Sequence, residues 1–223
     1  MNFPDNSLSL ARHQLIKDIR LTQTLALLDD KFLDRSTSSE NVNRSKFWFK
    51  SFWQVQIQKA NNPIRIYYSI YYESPNSKGI YNFKPDKDNN QSKLYIDSLT
   101  KKYMIGNWEE LSGQHLKDEV TTNLNLTLEY GIQSIEFFFL KSHIKGWKNK
   151  LNILFDNFGR PYILQTKNKK KLTDFTIDTT LHPFEYLLQE PIQIKLVKEE
   201  DEVCFNLEPI SGYLHIEDCI YLK

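Results

Sequence analysis

A chain of 223 residues, 40% of them hydrophobic and 13% aromatic, has ample apolar material for a core, which excludes global disorder. Its seven glycines never lie closer together than Gly106 and Gly113, so the chain contains neither a dinucleotide-binding fingerprint nor a phosphate-binding loop. The formal net charge of +1 excludes an overall positive excess of the kind that holds a polyanion.

The N-terminal residues, MNFPDNSLSLARHQ, are polar, and no later segment has 18 uninterrupted apolar residues. We therefore predict neither a cleavable signal nor a membrane span, and we expect a soluble, cytoplasmic protein. The two cysteines, Cys204 and Cys219, lie in strand-like runs, which favours buried free thiols over a disulfide. We predict no cofactor.

The first periodic segment is helical. Apolar side chains recur at roughly helical spacing at Leu8, Ala11, Leu15, Ile19, Ala26 and Leu33. Ser7 or Ser9 is a suitable N-cap. The pattern predicts an amphipathic helix over about residues 9 to 34, whose apolar face covers the sheet that follows.

After Lys46 the hydrophobic period changes from helical to two. The alternation is clearest at residues 64–73 and 124–130, and each pattern predicts a half-buried strand. Between residues 155 and 162 the sequence Asp-Asn-Phe-Gly-Arg-Pro supplies the residues that a hairpin turn requires, so the flanking strands should pair. Further strands are predicted at residues 52–59, 93–98, 135–140, 150–155, 162–167, 192–198, 203–207 and 212–222.

Successive short strands without intervening helices indicate an antiparallel meander, since a parallel crossover needs a dozen or more residues. About ten strands are too many for one flat sheet, so the sheet should curl. We predict an α+β protein whose N-terminal helix packs on a large curled antiparallel sheet, either barrel-like or a two-layer β-sandwich. We expect one domain over residues 1–223, with an N-terminal helical segment and loop (1–46), an antiparallel β domain (47–223), and a candidate internal boundary in the loop 74–92.

Metal binding and catalysis have little support in the sequence. The closest approach to a ligand cluster consists of Cys204, His215, Asp218 and Cys219. On a strand, His215 and Cys219 would lie about 13 Å apart, too far for one ion, so we predict no metal site. Neighbouring carboxylates point in different directions, and no serine has the flanking glycines of a nucleophile elbow. The sequence leans against an enzyme and identifies no catalytic residue.

The charge reverses sharply in the last third of the chain. Residues 141–171 carry nine Lys/Arg and one acid, a balance of +8, whereas residues 172–223 carry eleven acids and three lysines, a balance of −8. Strands that pair with one another can place opposite charges across a ladder. We therefore favour self-pairing of the two segments within the fold.

A nucleic-acid surface is the alternative interpretation of the basic segment. Its charges are interleaved with Trp147, Phe155, Phe158 and Tyr162, a mixture that single-strand binders use to neutralise phosphates and to stack bases. Lysine is poor at planar bidentate recognition, however. The nucleic-acid-binding candidates are Lys141, Lys145, Lys148, Lys150, Arg160, Lys167 and Lys169.

A cavity is the third interpretation. Closed antiparallel sheets enclose either side chains or one small ligand, and the aromatic content suits an amphipathic pocket. The ligand-binding candidates are Trp108, Trp147 and Tyr162. The tripeptide Gly106-Asn107-Trp108 resembles the Gly-x-Trp sequence of lipocalin-like barrels, which implies a carrier of small apolar molecules; from three residues we identify no family.

These observations favour a binding or accessory protein over an enzyme. Its work would depend on a barrel cavity or on a surface for a partner, either a protein or a small apolar or aromatic ligand. The alternatives are single-stranded nucleic-acid binding through residues 141–171, a lipocalin-like carrier, and an enzyme whose active site the sequence does not reveal.

Overall fold

The structure is a computed structural model that describes residues 6–29, 51–61, 64–74, 85, 92–106, 117–142, 144–146, 150–165 and 187–220. These residues form a long helix, α1 (Ser7–Leu28), and a short one, α2 (Leu126–Tyr130). The strands are β1 (Phe52–Asn61), β2 (Ile64–Glu73), β3 (Ser92–Leu94), β4 (Ser134–Phe139), β5 (Ile144–Gly146), β6 (Lys150–Phe155), β7 (Pro161–Gln165), β8 (Ile192–Lys198), β9 (Asp201–Leu207) and β10 (Leu214–Glu217). The predicted α+β class, with an N-terminal helix packed on antiparallel sheet, is confirmed.

The described strands form two five-stranded sheets. Sheet 1 has the order β3-β2-β1-β6-β7, and sheet 2 has the order β10-β9-β8-β4-β5. Each sheet combines a three-stranded meander with a two-stranded hairpin, and the first strands of the two units pair with each other. The prediction of a single meander is therefore wrong, and these ten strands do not close into a barrel. Alternation identifies strands, but it does not identify partners that lie far apart in the chain.

Helix α1 packs against both sheets. Its fully buried side chains Leu15, Ile19 and Ala26 belong to one hydrophobic core. That core also contains Val55, Ile57, Leu151 and Ile153 from sheet 1 and Phe137, Ile194, Leu196 and Phe205 from sheet 2. Burying each large aliphatic side chain contributes about 1.5–3 kcal/mol, so the helix joins the two sheets through their shared core. The predicted helix over residues 9–34 is confirmed where the structure describes it, up to its end at Leu28.

The predicted strand at residues 124–130 is wrong, because the chain forms helix α2 there. Asn125 caps this helix, since its side-chain oxygen accepts a hydrogen bond from the Leu128 N–H at 3.1 Å. Gly131 ends it in the left-handed conformation, with φ of 74°. Leu126 is buried and Leu128 is 66% exposed. Three alternating leucines therefore mimic a strand, and the two capping residues decide the local structure.

Several strand boundaries also differ from the prediction. Strand β3 has three residues and β10 has four, both shorter than predicted. Strand β5 was not predicted at all, since three residues are too few to show a period. The hairpin between residues 155 and 162 is confirmed as the β6–β7 pair. Most of the candidate boundary loop at 74–92 lies outside the described residues.

The second face of sheet 1 is largely buried, and polar side chains on it lie beside a small apolar cluster that includes Leu94 and Ile105. We call the polar group the amide layer; it consists of Gln54, Gln56, Gln58, Tyr67, Tyr71, Glu73 and Asn152. Gln56 Nε2 donates to the Tyr71 hydroxyl oxygen at 2.5 Å. Gln58 donates to Gln56 Oε1 and accepts from the Tyr67 hydroxyl at 2.9 Å. Side-chain hydrogen bonds thus tie β1 to β2 in addition to the backbone ladder.

Two carbonyl oxygens of the amide layer have no hydrogen-bond donor among the described residues. Gln54 Nε2 donates to Glu73 Oε2 at 2.7 Å, which fixes the orientation of the amide because an ionised carboxylate only accepts. The other atom of that amide, Gln54 Oε1, is buried without a donor, as is Asn152 Oδ1. Each such acceptor costs about 1–3 kcal/mol.

Asp18 of α1 is buried against sheet 1. Its Oδ2 accepts from the Tyr68 hydroxyl at 2.7 Å and from Gln14 Nε2 at 2.8 Å. Burial raises the pKa of Asp18 above its ordinary value of 3.8, and these two donors offset only part of the shift. The helix therefore contacts sheet 1 through a carboxyl group whose pKa is raised by its burial.

The two cysteines form a disulfide, Cys204–Cys219, with their Cα atoms 5.2 Å apart. The prediction of free thiols is wrong. It assumed that one long strand covers residues 212–222, whereas β10 ends at Glu217. Glu217 is opposite Cys204 in the ladder, and the chain beyond it turns back over β9.

Candidate partner-binding surface

Turns from both sheets meet at the C-terminal end of α1. Gln23 Nε2 donates to the carbonyl oxygen of Gly159, in the β6–β7 turn, at 2.8 Å, and to that of Ser211, in the β9–β10 turn, at 2.8 Å. A Cβ atom on Gly212 would lie 3.1 Å from the Gly159 oxygen and 2.6 Å from Gln23 Nε2. The two turns are therefore in close contact, and a larger residue at position 212 would separate them.

Asp156 organises the β6–β7 turn. Its Oδ1 accepts from the backbone N–H groups of Phe158 at 2.9 Å and Arg160 at 3.0 Å. Its Oδ2 accepts from Arg160 Nε at 2.7 Å and from the Tyr162 hydroxyl at 3.0 Å. Gly159, with φ of 72°, lets the chain approach Leu27. The Asp156 carboxylate thus fixes the turn from within.

The β9–β10 turn contains a strained residue. Ile210 has φ of 63°, and for a β-branched residue this left-handed conformation is a clear outlier. Such a conformation costs about 1–2 kcal/mol. The Ile210 side chain is nonetheless 65% exposed, so no burial in the isolated chain compensates for the strain.

Around these contacts the molecule exposes large apolar side chains, which we call the junction patch. They are Leu27 (54% exposed), Leu28 (77%), Phe158 (69%), Ile210 (65%) and Tyr213 (59%). Together they offer on the order of several hundred Å² of surface, comparable to the largest patches on monomeric proteins, which are often functional. The Arg160 guanidinium lies 5.0 Å from the centre of the Phe158 ring and is also bonded to Asp156, so it adds little free charge to the patch.

The sequence did not identify this surface. Phe158 appeared only as one ring of the basic segment, and the other four patch residues were not candidates. One signal was available, since Gly159 and Gly212 mark turns and large apolar residues next to turn glycines are unusual. The junction itself was not predictable, because residues 23, 159 and 211 meet only through the tertiary fold.

Of the ligand-binding candidates, the structure describes only Tyr162. It is buried, its hydroxyl donates to Asp156, and its ring lies 5.3 Å from that of Phe52. Burial, followed by the nearby Asp156 charge, raises the pKa of Tyr162 well above its ordinary value. Its contacts stabilise the β6–β7 hairpin. Trp108 and Trp147 lie outside the described residues.

The nucleic-acid candidates are only partly described. Lys141 is exposed, Lys150 is half-buried, and Arg160 is bonded to Asp156. Lys145 lies in β5, and its side chain is outside the described part of the structure. Lys148, Lys167 and Lys169 also lie outside it. Four of the seven side chains therefore lie outside the described part of the structure, and the role of all seven residues stays a prediction.

Self-pairing of the two charged segments is not found between the described strands. Strands β6 and β7 of the basic segment belong to sheet 1, whereas β5 of the same segment belongs to sheet 2, as do β8, β9 and β10 of the acidic segment. The described contacts between the segments include an isolated bridge between Tyr162 and Leu187 and hydrogen bonds from the backbone N–H groups of Lys141 and Ser142 to Glu190. The acidic segment instead pairs locally, since Lys195 bonds Glu202 at 3.1 Å and Glu136 at 3.5 Å. The basic and acidic segments are adjacent in sequence, but their described strands do not pair with each other.

Among the residues that the structure describes, no three His, Cys, Asp or Glu side chains converge in a way that could hold a metal ion. None of the described helices is long and apolar enough to cross a bilayer. No known family matches the chain, and neither a curated protein nor a solved structure resembles it. The function must therefore be argued from the junction patch itself.

Proposed function

We propose that this chain is a non-enzymatic binding protein that docks a protein partner on the junction patch. The observation that carries the proposal is the concentration of five exposed apolar side chains where α1 and turns from both sheets meet. Side chains exposed over more than half of their area project from the surface rather than line a concave pocket. Such a surface suits a macromolecule better than a small ligand.

The composition of the patch supports a partner that offers apolar and aromatic side chains. Interface centres are enriched in aromatic residues and depleted of charge. Phe158 and Tyr213 are the aromatic side chains with the highest exposed fractions among the large hydrophobic residues that the structure describes. The strain at Ile210 also supports a binding site here, because strained backbone conformations cluster at functional sites. The Asp156 contacts and the Gln23 bridge hold the backbone in place, which reduces the entropy lost on binding.

The proposal is tested by site-specific photo-crosslinking in cells that express the protein. A benzophenone side chain is placed at position 28 or 158 of the patch, and at Leu99 as the control. Leu99 is 89% exposed and lies on the separate turn at residues 98–100. We expect positions 28 and 158 to capture the same protein. Equal capture of that protein from position 99, or no common product, would contradict the proposal.

The substitution Ile210→Ser then distinguishes the patch from a general sticky surface. The residue is exposed, and replacing a β-branched residue at positive φ by serine adds no strain, so the free energy of unfolding should not fall. Capture at position 158 should nevertheless fall at least tenfold if Ile210 anchors the partner. Unchanged capture would remove the β9–β10 turn from the proposed interface.

Single-stranded nucleic-acid binding is the second candidate. It is favoured by the observation that the described strands of the basic segment, β5, β6 and β7, do not pair with a strand of the acidic segment. Exposed Phe158 could stack a base. A labelled oligonucleotide titrated at several salt concentrations tests this candidate. Submicromolar affinity that falls steeply with salt and with Phe158→Ser would move it to first place.

We also propose that the protein works in the cytoplasm. Cytosolic thiols are kept reduced, and disulfides that do form there are usually transient, catalytic or redox-sensing. The Cys204–Cys219 disulfide is therefore informative about regulation. Thiol labelling of the protein in lysates quenched with acid would measure what fraction of it carries the disulfide in the cell.

A further inference from the structure

The chain beyond β10 returns across the outer face of sheet 2. We call residues 218–220 the strap. Cys219 bonds covalently to Cys204 of β9, and the two neighbours of Cys219 contact Gln193 of β8. The strap thus crosses two strands on the face opposite the hydrophobic core.

The side chain of Gln193 bonds backbone groups of the strap. Its Oε1 accepts from the N–H of Ile220 at 2.7 Å, and its Nε2 donates to the carbonyl oxygen of Asp218 at 3.1 Å. Asn206 Oδ1 accepts from the same Nε2 at 3.1 Å and orients the amide. One side-chain amide therefore satisfies two backbone groups that lie two residues apart. Any extended segment can offer those groups, whatever its side chains.

The burial pattern marks the area beneath the strap as a docking surface. Phe138, Gln193, Cys204 and Asn206 are at most 5% exposed. Farther along the same face, Lys195 and its carboxylate partners Glu136 and Glu202 are only partly buried. Ile220 is 40% exposed, so the strap contributes little apolar packing of its own.

We propose that the outer face of sheet 2 is a redox-gated site for an extended peptide segment of a partner protein, which the chain's own strap occupies while the Cys204–Cys219 disulfide is intact. The strap shows the binding mode that the partner would copy, with its backbone paired to Gln193. The disulfide keeps the strap at a high effective concentration over the site.

Opening requires a dithiol reductant, which the cytosol supplies. A thiolate of the reductant attacks one sulfur of the disulfide, and a mixed disulfide forms. The second thiol of the reductant then displaces the protein sulfur, so that the reductant leaves as a disulfide and Cys204 and Cys219 each gain a proton. Among the described residues, Gln193 then holds the strap through two hydrogen bonds, for which water competes.

The test uses the full-length protein and a synthetic peptide with the sequence of residues 214–223 carrying Cys219→Ser and a fluorescent label. Fluorescence anisotropy is measured for the oxidised protein, for the protein reduced with dithiothreitol, and for the full-length variant Cys219→Ser. We expect the reduced protein and the variant to bind the peptide at least tenfold more tightly than the oxidised protein. Equal affinity in all three would overturn the gate.

Two variants identify the site. Gln193→Leu in the reduced protein should lose peptide binding. Gln133→Leu is the matched control, because Gln133 is exposed and its amide oxygen accepts from a different backbone group, the N–H of Glu199; this variant should bind normally. Equal loss of binding in both variants would contradict recognition by Gln193.

Hydrogen exchange of the unmodified protein provides a measurement that needs no variant. The Ile220 amide should be protected in the oxidised protein and should exchange at least tenfold faster after reduction, while β8 and β9 keep their protection. Retained protection at Ile220, with both thiols shown to be free by labelling, would overturn the proposal.

Discussion

Sheets 1 and 2 have equivalent strand orders, but the side chains on their outer faces differ in kind. In sheet 1 that face is the amide layer, in which Gln56 is fully buried and bonded to Gln58 and Tyr71. In sheet 2 the equivalent face carries ion pairs, and its fully buried glutamine, Gln193, bonds the strap. A buried glutamine can therefore stabilise a sheet in one context and position a removable segment in another.

The ion pairs of sheet 2 belong to the same contrast. Burial disfavours the charged form of Lys195, but its contacts with Glu202 and Glu136 outweigh that effect and raise its pKa. The three groups lie side by side on β4, β8 and β9. Partly exposed pairs of this kind contribute only about 0–1 kcal/mol each. The outer face of sheet 2 can therefore be uncovered with little loss of stability, whereas that of sheet 1 cannot.

The largest expected effect separates the two glutamines. Gln56→Leu keeps the side-chain volume but leaves groups of Gln58 and Tyr71 without partners, so it should lower the free energy of unfolding by about 1–3 kcal/mol. In the reduced protein, Gln193→Leu should release the strap and lower the free energy of unfolding by less than Gln56→Leu does, because the groups that it leaves unpaired become accessible to water. Urea denaturation measures both. A loss of the same size in both variants would show that Gln56 and Gln193 contribute equally to the stability of the fold.

The fold class and most strands followed from the sequence because a period of 2 or 3.6 depends on local residue order. The helix face through Leu15 and Ile19 is an example. The two-sheet topology did not follow, because nothing local in β1 identifies β6 as its partner. The disulfide and the junction patch were missed for the same reason: Cys204 and Cys219, like Gln23 and Ser211, meet through long-range contacts.

A second difference between the sheets concerns pH. Asp18, against sheet 1, has a raised pKa, so its contribution to stability is complete below its unfolded pKa and is lost as pH rises through the folded pKa. Glu190 accepts from the backbone N–H groups of Lys141 and Ser142, next to sheet 2. Burial acts to raise the pKa of Glu190, but these donors outweigh it and lower the pKa. Its contribution is present above its unfolded pKa and is lost as pH falls.

Unfolding by urea between pH 4 and pH 8 tests these opposite signs. Asp18→Asn keeps an acceptor for Tyr68 and should gain stability relative to the wild-type protein as pH rises. Glu190→Gln should lose stability relative to the wild-type protein at neutral pH, with the difference shrinking below about pH 4.5. If the two differences change in the same direction with pH, the assignment of Asp18 as a group whose pKa is raised by burial is wrong.

The smallest expected effect lies in the turns. The β6–β7 turn of sheet 1 has a glycine, Gly159, at positive φ, whereas the turns of sheet 2 have Glu199 (φ of 55°) and Ile210 (φ of 63°) there in addition to Gly212 (φ of 65°). Replacing a residue in this conformation by glycine removes a clash between Cβ and the following carbonyl. Ile210→Gly should therefore stabilise the protein by about 1 kcal/mol, and Glu199→Gly by no more than that.

The variants Ile210→Gly and Glu199→Gly together test whether the backbone strain at Ile210 serves partner binding. If Ile210 is retained because it anchors a partner on the junction patch, Ile210→Gly should be more stable and yet lose crosslinking at position 158. Glu199→Gly, in the neighbouring turn, should keep full crosslinking. Thermal unfolding and the crosslinking yield measure the two properties in the same samples. A stabilised Ile210→Gly protein that still captures the partner would mean that the strained turn of sheet 2 serves no interface, and the contrast with the glycine turn of sheet 1 would then concern stability alone.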